Sequence, residues 1–241
     1  MASTSTTIEW TDKTWNPTTG CNKVSPGCKH CYAEAITKRF HTNFPNGFNF
    51  TLHSERLNEP LKWRKPSRVF VNSMSDLFHE QMPINFLVQV FEVMQKADHH
   101  IFQILTKRHE RLVELAPLLP WPDNVWMGVS VENQKYVNRV DYLRQVPAKI
   151  RFLSCEPLLG PLELDLTNIH WVITGGESGP KHRPIQEEWV RSIRDQCQEE
   201  DVAFFHKQWG GVRPKSNGRL LDGVLHDAMP SLRSEESWLV F

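Results

Sequence analysis

Arg68-Val-Phe-Val-Asn-Ser-Met-Ser-Asp76 runs from a short apolar stretch into a polar one, and Leu87, Val90, Phe91 and Met94 then recur on one helical face. That order is strand, polar loop, helix. Ile101-Phe-Gln-Ile-Leu105 repeats it, passing into Thr106-Lys107-Arg108 and a helix carrying Leu112, Leu115 and Leu119. Val125-Trp-Met-Gly-Val129 repeats it again, ending in Ser130-Val-Glu132, with Tyr136, Val140 and Leu143 on the helix. Ile150-Arg-Phe-Leu153 passes into Ser154-Cys155-Glu156-Pro157 with no clear helix after it. Trp171-Val-Ile-Thr174 passes into Gly175-Gly176-Glu177-Ser178-Gly179, and a helix over 187–200 brings Trp189, Ile193 and Cys197 into register. Ala203-Phe-Phe205 closes the series ahead of His206-Lys207-Gln208-Trp209-Gly210.

Upstream, 14–19 reads as a first strand, although Asn16-Pro17 suits only the edge or end of one. Ala33, Ile36 and Phe40 then mark a helix, and 41–67 is a polar, irregular excursion. Seven strands alternating with helices predict an α/β fold, a partial β/α barrel of the TIM type with about six or seven parallel strands. Asp76, Lys107, Glu132, Glu156, Glu177 and Lys207 all fall just after strand ends, which in such barrels form the active face. The whole of 1–241 reads as one domain, with 210–241 as a C-terminal extension in which Leu220-Leu-Asp-Gly-Val-Leu225 marks a tight hairpin.

Between the first strand and first helix lies Cys21-Asn-Lys-Val-Ser-Pro-Gly-Cys28-Lys-His-Cys31, which holds three of the five cysteines. Thiolates are soft ligands, so three on one loop suit zinc or an iron–sulfur cluster rather than magnesium or calcium. Pro26-Gly27 is a turn able to bring Cys21 back toward Cys28 and Cys31. Zinc would recruit a histidine such as His30 or His41, whereas a [4Fe–4S] cluster would leave its fourth iron open to a small molecule. The loop alone accommodates either. An odd number of cysteines and the absence of a signal peptide argue against disulfides.

Lys plus Arg and Asp plus Glu both number 28, so any nucleic-acid footprint is a local patch. No apolar run approaches a membrane span, and a cytoplasmic protein without membrane contact is expected. The composition leaves the oligomeric state open.

A three-cysteine loop after the first strand of a β/α chain, with Tyr32 beside the last cysteine, resembles the radical S-adenosylmethionine superfamily. The whole chain further resembles an uncharacterised phage-associated family of this kind. The shared motifs are Glu9-Trp10-Thr11-Asp12, Thr14-Trp15-Asn16-Pro17, Gly176-Glu177-Ser178-Gly179 and Lys207-Gln208-Trp209-Gly210. The resemblance implies that Cys21, Cys28 and Cys31 hold a [4Fe–4S] cluster whose open iron binds S-adenosylmethionine. It also implies reductive cleavage to a 5′-deoxyadenosyl radical and a flavodoxin- or ferredoxin-like electron donor. The spacing here is C-x6-C-x2-C against the superfamily's usual C-x3-C-x2-C, and the Pro26-Gly27 turn absorbs the insertion. The superfamily's Gly-Gly-Glu motif follows its second strand, whereas Gly175-Gly176-Glu177 follows the sixth here, so 72–76 occupies that place instead.

The expected cosubstrate contacts are therefore Tyr32, Asn72, Ser73, Asp76, Ser130, Gly175 and Gly176, and the expected catalytic residues are Glu177, Glu156, Glu132 and Lys107. Glu177 leads this set because the glycines beside it permit close ligand approach. Cys155 reads as a buried apolar residue, with a thiol at the mouth as the alternative. For the substrate, Lys62, Arg64, Lys65 and Arg68 around Trp63, and Lys181-His182-Arg183, suit phosphate and a stacked base, which makes nucleic acid the leading candidate. Two other readings compete: a zinc-stabilised nucleic-acid-binding module, and a hydrolase using carboxylates such as Glu132 and Glu156 with a structural metal.

Overall fold

The computed structural model describes residues 6–213 and 215–230. Seven strands form one sheet: β1 (Lys13–Trp15), β2 (Arg68–Val71), β3 (Ile101–Thr106), β4 (Val125–Ser130), β5 (Ile150–Cys155), β6 (Trp171–Gly175) and β7 (Ala203–Gln208). They are ordered as in the chain, and every neighbouring pair is parallel. β1 and β7 remain as the two edges, so the sheet is a curled partial barrel. Helices α1 (Tyr32–Arg39), α2 (Ile84–Lys96), α3 (His109–Leu115), α4 (Arg139–Arg144) and α5 (Glu187–Glu199) follow β1, β2, β3, β4 and β6, and none follows β5.

Both faces of this sheet are covered, which is why its strands read as almost continuous apolar runs. Period-two alternation divides them. On β4, Val125, Met127 and Val129 join the helix-side core with Leu143 and Val140, while Trp126 joins the concave side. That concave core holds Trp10, Phe70, Trp126, Phe152, Trp171 and Phe205. Beyond these aromatics the C-terminal strand ends turn polar, at Thr106, Ser130, Ser154 and Thr174. Trp10, Trp15, Trp126 and Trp171 are all buried in the cores.

The seam between β1 and β7 is bridged by irregular chain. Trp10 enters the concave core, Trp171 Nε1 donates to the Ala228 carbonyl at 2.9 Å, and Lys215 Nζ reaches Glu9 at 2.8 Å.

Two sequence expectations need adjustment. The first strand ends at Trp15, because Thr18–Thr19 turns away to pair antiparallel with Thr51–Leu52. Asn16 makes that break useful: its side-chain oxygen accepts from Ser73 Oγ at 3.2 Å and Met74 N at 2.9 Å. The basic cluster at 62–65 lies at the strand-start end, since it leads directly into β2, and Trp63 packs on the core beside His100. It is therefore remote from the cysteine loop. The hairpin forms as expected, with Leu220–Leu221 against Val224–Leu225 and Asp222 and Gly223 at φ 52 and 76. Of the expected extension over 210–241, residues 231–241 lie outside the described residues. No helix among the described residues is long and apolar enough to cross a membrane.

Candidate functional site

The cysteine loop leaves the sheet at Gly20, whose N–H donates to the Met74 carbonyl at 2.9 Å while its own carbonyl accepts from Ser75 Oγ at 2.7 Å. Gly20 has φ +82, and a Cβ there would lie 2.0 Å from the Asn49 carbonyl oxygen, so only glycine fits. Pro26–Cys28 forms one 3-10 turn, closed by Cys28 N on the Ser25 carbonyl at 3.0 Å, and Cys31 immediately precedes α1. The three thiols are free, half-exposed, and line one cavity of about 150 Å³ at the C-terminal strand ends. Tyr32, Asn72, Ser73, Asp76, Lys107 and Ser130 line it too. A larger cavity, about 690 Å³, opens at the opposite end beside Ile150 and Ala203, away from all of these groups. Among the described residues, no three His, Cys, Asp or Glu side chains are placed to hold a single metal ion. His30, considered above as a zinc ligand, faces Glu177 instead.

Each carboxylate near the cavity has a defined partner. Asp76 accepts from Thr106 Oγ1 at 2.7 Å, Phe78 N at 3.0 Å and Arg108 Nη1 at 3.0 Å. Arg108 Nη1 also lies 3.4 Å from Cys21 Sγ. Burial and the Asp76 charge push the Cys21 thiol up to about 11, against the opposing pull of Arg108. Lys107 Nζ donates to Ser130 Oγ at 2.9 Å.

Glu132 is fully buried against Arg139, at 2.8 Å, and its other oxygen accepts from Gly27 N at 3.3 Å, in the middle of the cysteine loop. Burial opposes its ionisation, but the Ser25 hydrogen bond and the Arg139 charge hold it below the usual range.

Glu177 is clamped by Arg183, with Nη2 at 2.5 Å and Nε at 3.0 Å, and its Oε2 lies 2.9 Å from His30 Nδ1. Burial again opposes ionisation, but the bonds from Arg183 and His30 prevail and hold the carboxyl at about 2. The glycines before it serve packing. A Cβ on Gly176 would meet the Trp209 carbonyl oxygen at 2.1 Å, and one on Gly175 would meet Glu156 Oε2 at 2.8 Å. The clearance read from the sequence as room for a ligand is taken up by the chain itself.

Glu156 pairs with Lys207 at 2.8 Å across the β5 and β7 ends. Asn72, at φ 60, donates to Thr18 Oγ1 at 2.9 Å and accepts from Thr18 N at 3.3 Å. The Tyr32 hydroxyl donates to the Ser73 carbonyl. Cys155 points away from the mouth into the helix-side core with Cys197, and burial pushes both thiols up.

The sequence reading missed Asn16, Arg108 and the pairing roles of His30 and Arg183. Arg108 adjoins Lys107 at a strand end, which was the available signal; Asn16 and His30 depend on partners far away in the chain, whereas Arg183 lies only six residues from Glu177.

Residues 5–230 match the family model described as "Protein of unknown function (DUF5131)". The chain belongs to the DUF5131 family. No curated protein matches this DUF5131 chain. Its fold is similar to that of a serine-for-cysteine mutant of spore photoproduct lyase, with a TM-score of 0.53 and 12% identity over 73% of this chain and 59% of that one. It is also similar to spore photoproduct lyase complexed with dinucleoside spore photoproduct, with a TM-score of 0.50 and 12% identity over 80% of this chain and 64% of that one. The chain thus spans about three-fifths of the length of these lyases, and what the two share is a parallel α/β architecture.

Proposed function

We propose that this DUF5131 protein is a radical S-adenosylmethionine enzyme acting on a nucleic-acid base, with Cys21, Cys28 and Cys31 holding a [4Fe–4S] cluster. One observation carries the reading: three free thiols from one loop line one cavity at the C-terminal mouth of a partial β/α barrel. The donor set fits such a cluster. Each thiolate would take a different iron, so the ligands need not converge on one point as around a single ion, and three of them would leave one iron open. When bound, the cluster supplies the electron that cleaves S-adenosylmethionine to a 5′-deoxyadenosyl radical.

The chain's own residues bind and orient. Lys107, whose ammonium has Ser130 Oγ as its hydrogen-bond partner among the described residues, offers positive charge to the cosubstrate's carboxylate. Tyr32, Asn72, Ser73 and Asp76 shape the wall beside it. Glu156 and Lys207 present an acceptor and a donor side by side at the mouth, which suits a base edge. Lys181 and His182 follow the glycine-rich turn on the same rim and suit a phosphate. The dinucleoside bound to a lyase of similar fold supports this substrate class. The electron comes from a flavodoxin- or ferredoxin-like donor.

The test is purification without oxygen. A brown protein with iron and acid-labile sulfide, forming 5′-deoxyadenosine when reduced with dithionite in the presence of S-adenosylmethionine, is expected. A colourless zinc protein that leaves S-adenosylmethionine intact would end the proposal.

A further inference from the structure

We infer that Arg108 sets the reduction potential of the centre held by Cys21, Cys28 and Cys31, acting as a positioning residue through its N–H group on the Cys21 sulfur. The inference rests on the iron–sulfur reading above.

Arg108 Nη1 lies 3.4 Å from Cys21 Sγ. The other two thiols differ: among the described residues Cys28 meets the neutral Ser25 hydroxyl at 3.9 Å, and Cys31 has no side-chain donor. The contact is held in place rather than incidental. The Arg108 side chain is only 9% exposed and is bound to Asp76 at 3.0 Å, and Asp76 is itself fixed by Thr106 Oγ1 at 2.7 Å and Phe78 N at 3.0 Å. The second nitrogen, Nη2, bonds Asn22, the residue after Cys21. One guanidinium therefore ties the β3 end to the first ligand of the loop.

A guanidinium keeps its charge at every working pH and only donates. Asp76 offsets much of that charge at longer range, so the effect on the sulfur comes through the directed N–H···S contact. Reduction adds negative charge that spreads onto the sulfur ligands, and a donor to one of them favours the reduced form. Arg108 thereby raises the potential and eases electron delivery to a centre that must work at low potential.

The experiment compares wild type, Arg108→Lys and Arg108→Gln, each reconstituted anaerobically and titrated with dithionite, without S-adenosylmethionine, under electron paramagnetic resonance. One electron passes from dithionite to the centre, and no bond is made or broken in the measured step. Arg108→Gln should shift the reduction equilibrium about tenfold toward the oxidised form, which is about 59 mV lower for a one-electron couple. Arg108→Lys keeps an N–H donor without the fork that fixes it on Cys21, and should fall by less. Should Arg108→Gln lose the centre altogether, the Arg108→Lys titration decides alone. Unchanged midpoints at full iron and sulfide content overturn the inference while leaving the cluster intact. A wild-type protein that binds no iron overturns the iron–sulfur reading itself.

Discussion

His30 Nδ1 lies 2.9 Å from Glu177 Oε2, a contact that ties the cysteine loop to the end of β6 across 147 positions of sequence. The same carboxylate is gripped by Arg183 through Nε and Nη2. Glu177 thus joins two rim segments, and its charge is used within the protein. Glu177→Gln should lower stability by about 1.5–3 kcal/mol, the scale of hydrogen bonds to a charged group. Urea unfolding measures this. A variant as stable as wild type, with weaker binding of S-adenosylmethionine, would return Glu177 to the role of ligand contact.

The same residue gives a pH dependence of defined sign. Its folded value of about 2 lies below its ordinary 4.5. A depressed carboxyl contributes stability above the unfolded value, and this is lost as pH falls through the folded one. The gap between wild type and Glu177→Gln should therefore be constant from pH 7 to about 5, then narrow between about 4.5 and 2. Unfolding at a series of acid pH values checks this; a gap that widens there would contradict the assignment.

Cys21→Ala, Cys28→Ala and Cys31→Ala should each abolish bound iron, because all three thiols line the same cavity. Cys155→Ala and Cys197→Ala should keep it, since both are buried in the helix-side core. Iron and sulfide analysis of the five reconstituted variants decides. Loss of iron in Cys197→Ala but not in Cys28→Ala would remove the proposed ligand set.

The fold was legible because its signal is local. Runs such as Val125 to Val129 and Trp171 to Thr174, each followed by polar residues, define parallel strands without any knowledge of partners. The cysteine loop was legible for the same reason. The roles of the carboxylates were not, because a strand-end glutamate looks alike whether it faces a ligand or a counterion. Glu132 and Glu177 meet Arg139 and Arg183, only six or seven residues away, yet each also reaches the cysteine loop more than 100 residues back. Gly176 misled in the same way: the atom crowding it is the Trp209 carbonyl, contributed by the next strand's exit. Tertiary partners of this kind leave no periodic trace.

Glu132 offers the sharpest separation of structure from chemistry. It is fully buried with Arg139, whose side chain is 2% exposed and also donates to the Ser130 carbonyl at 2.7 Å and stacks over Tyr136. Removing one member of a buried pair leaves the other charge uncompensated, typically at a cost of about 3–5 kcal/mol. Glu132→Gln should therefore be destabilised more than Glu177→Gln, whose Arg183 partner is 26% exposed and can turn to solvent. It should also release Gly27 N–H, which Glu132 now accepts at 3.3 Å, and so loosen the loop that carries Cys28. Denaturation midpoints and iron content, read on the same preparations, should fall together. A catalytic acid or base would behave in the opposite way: Glu132→Gln would keep wild-type stability and iron and lose only turnover, and that result would restore the carboxylate chemistry considered from the sequence.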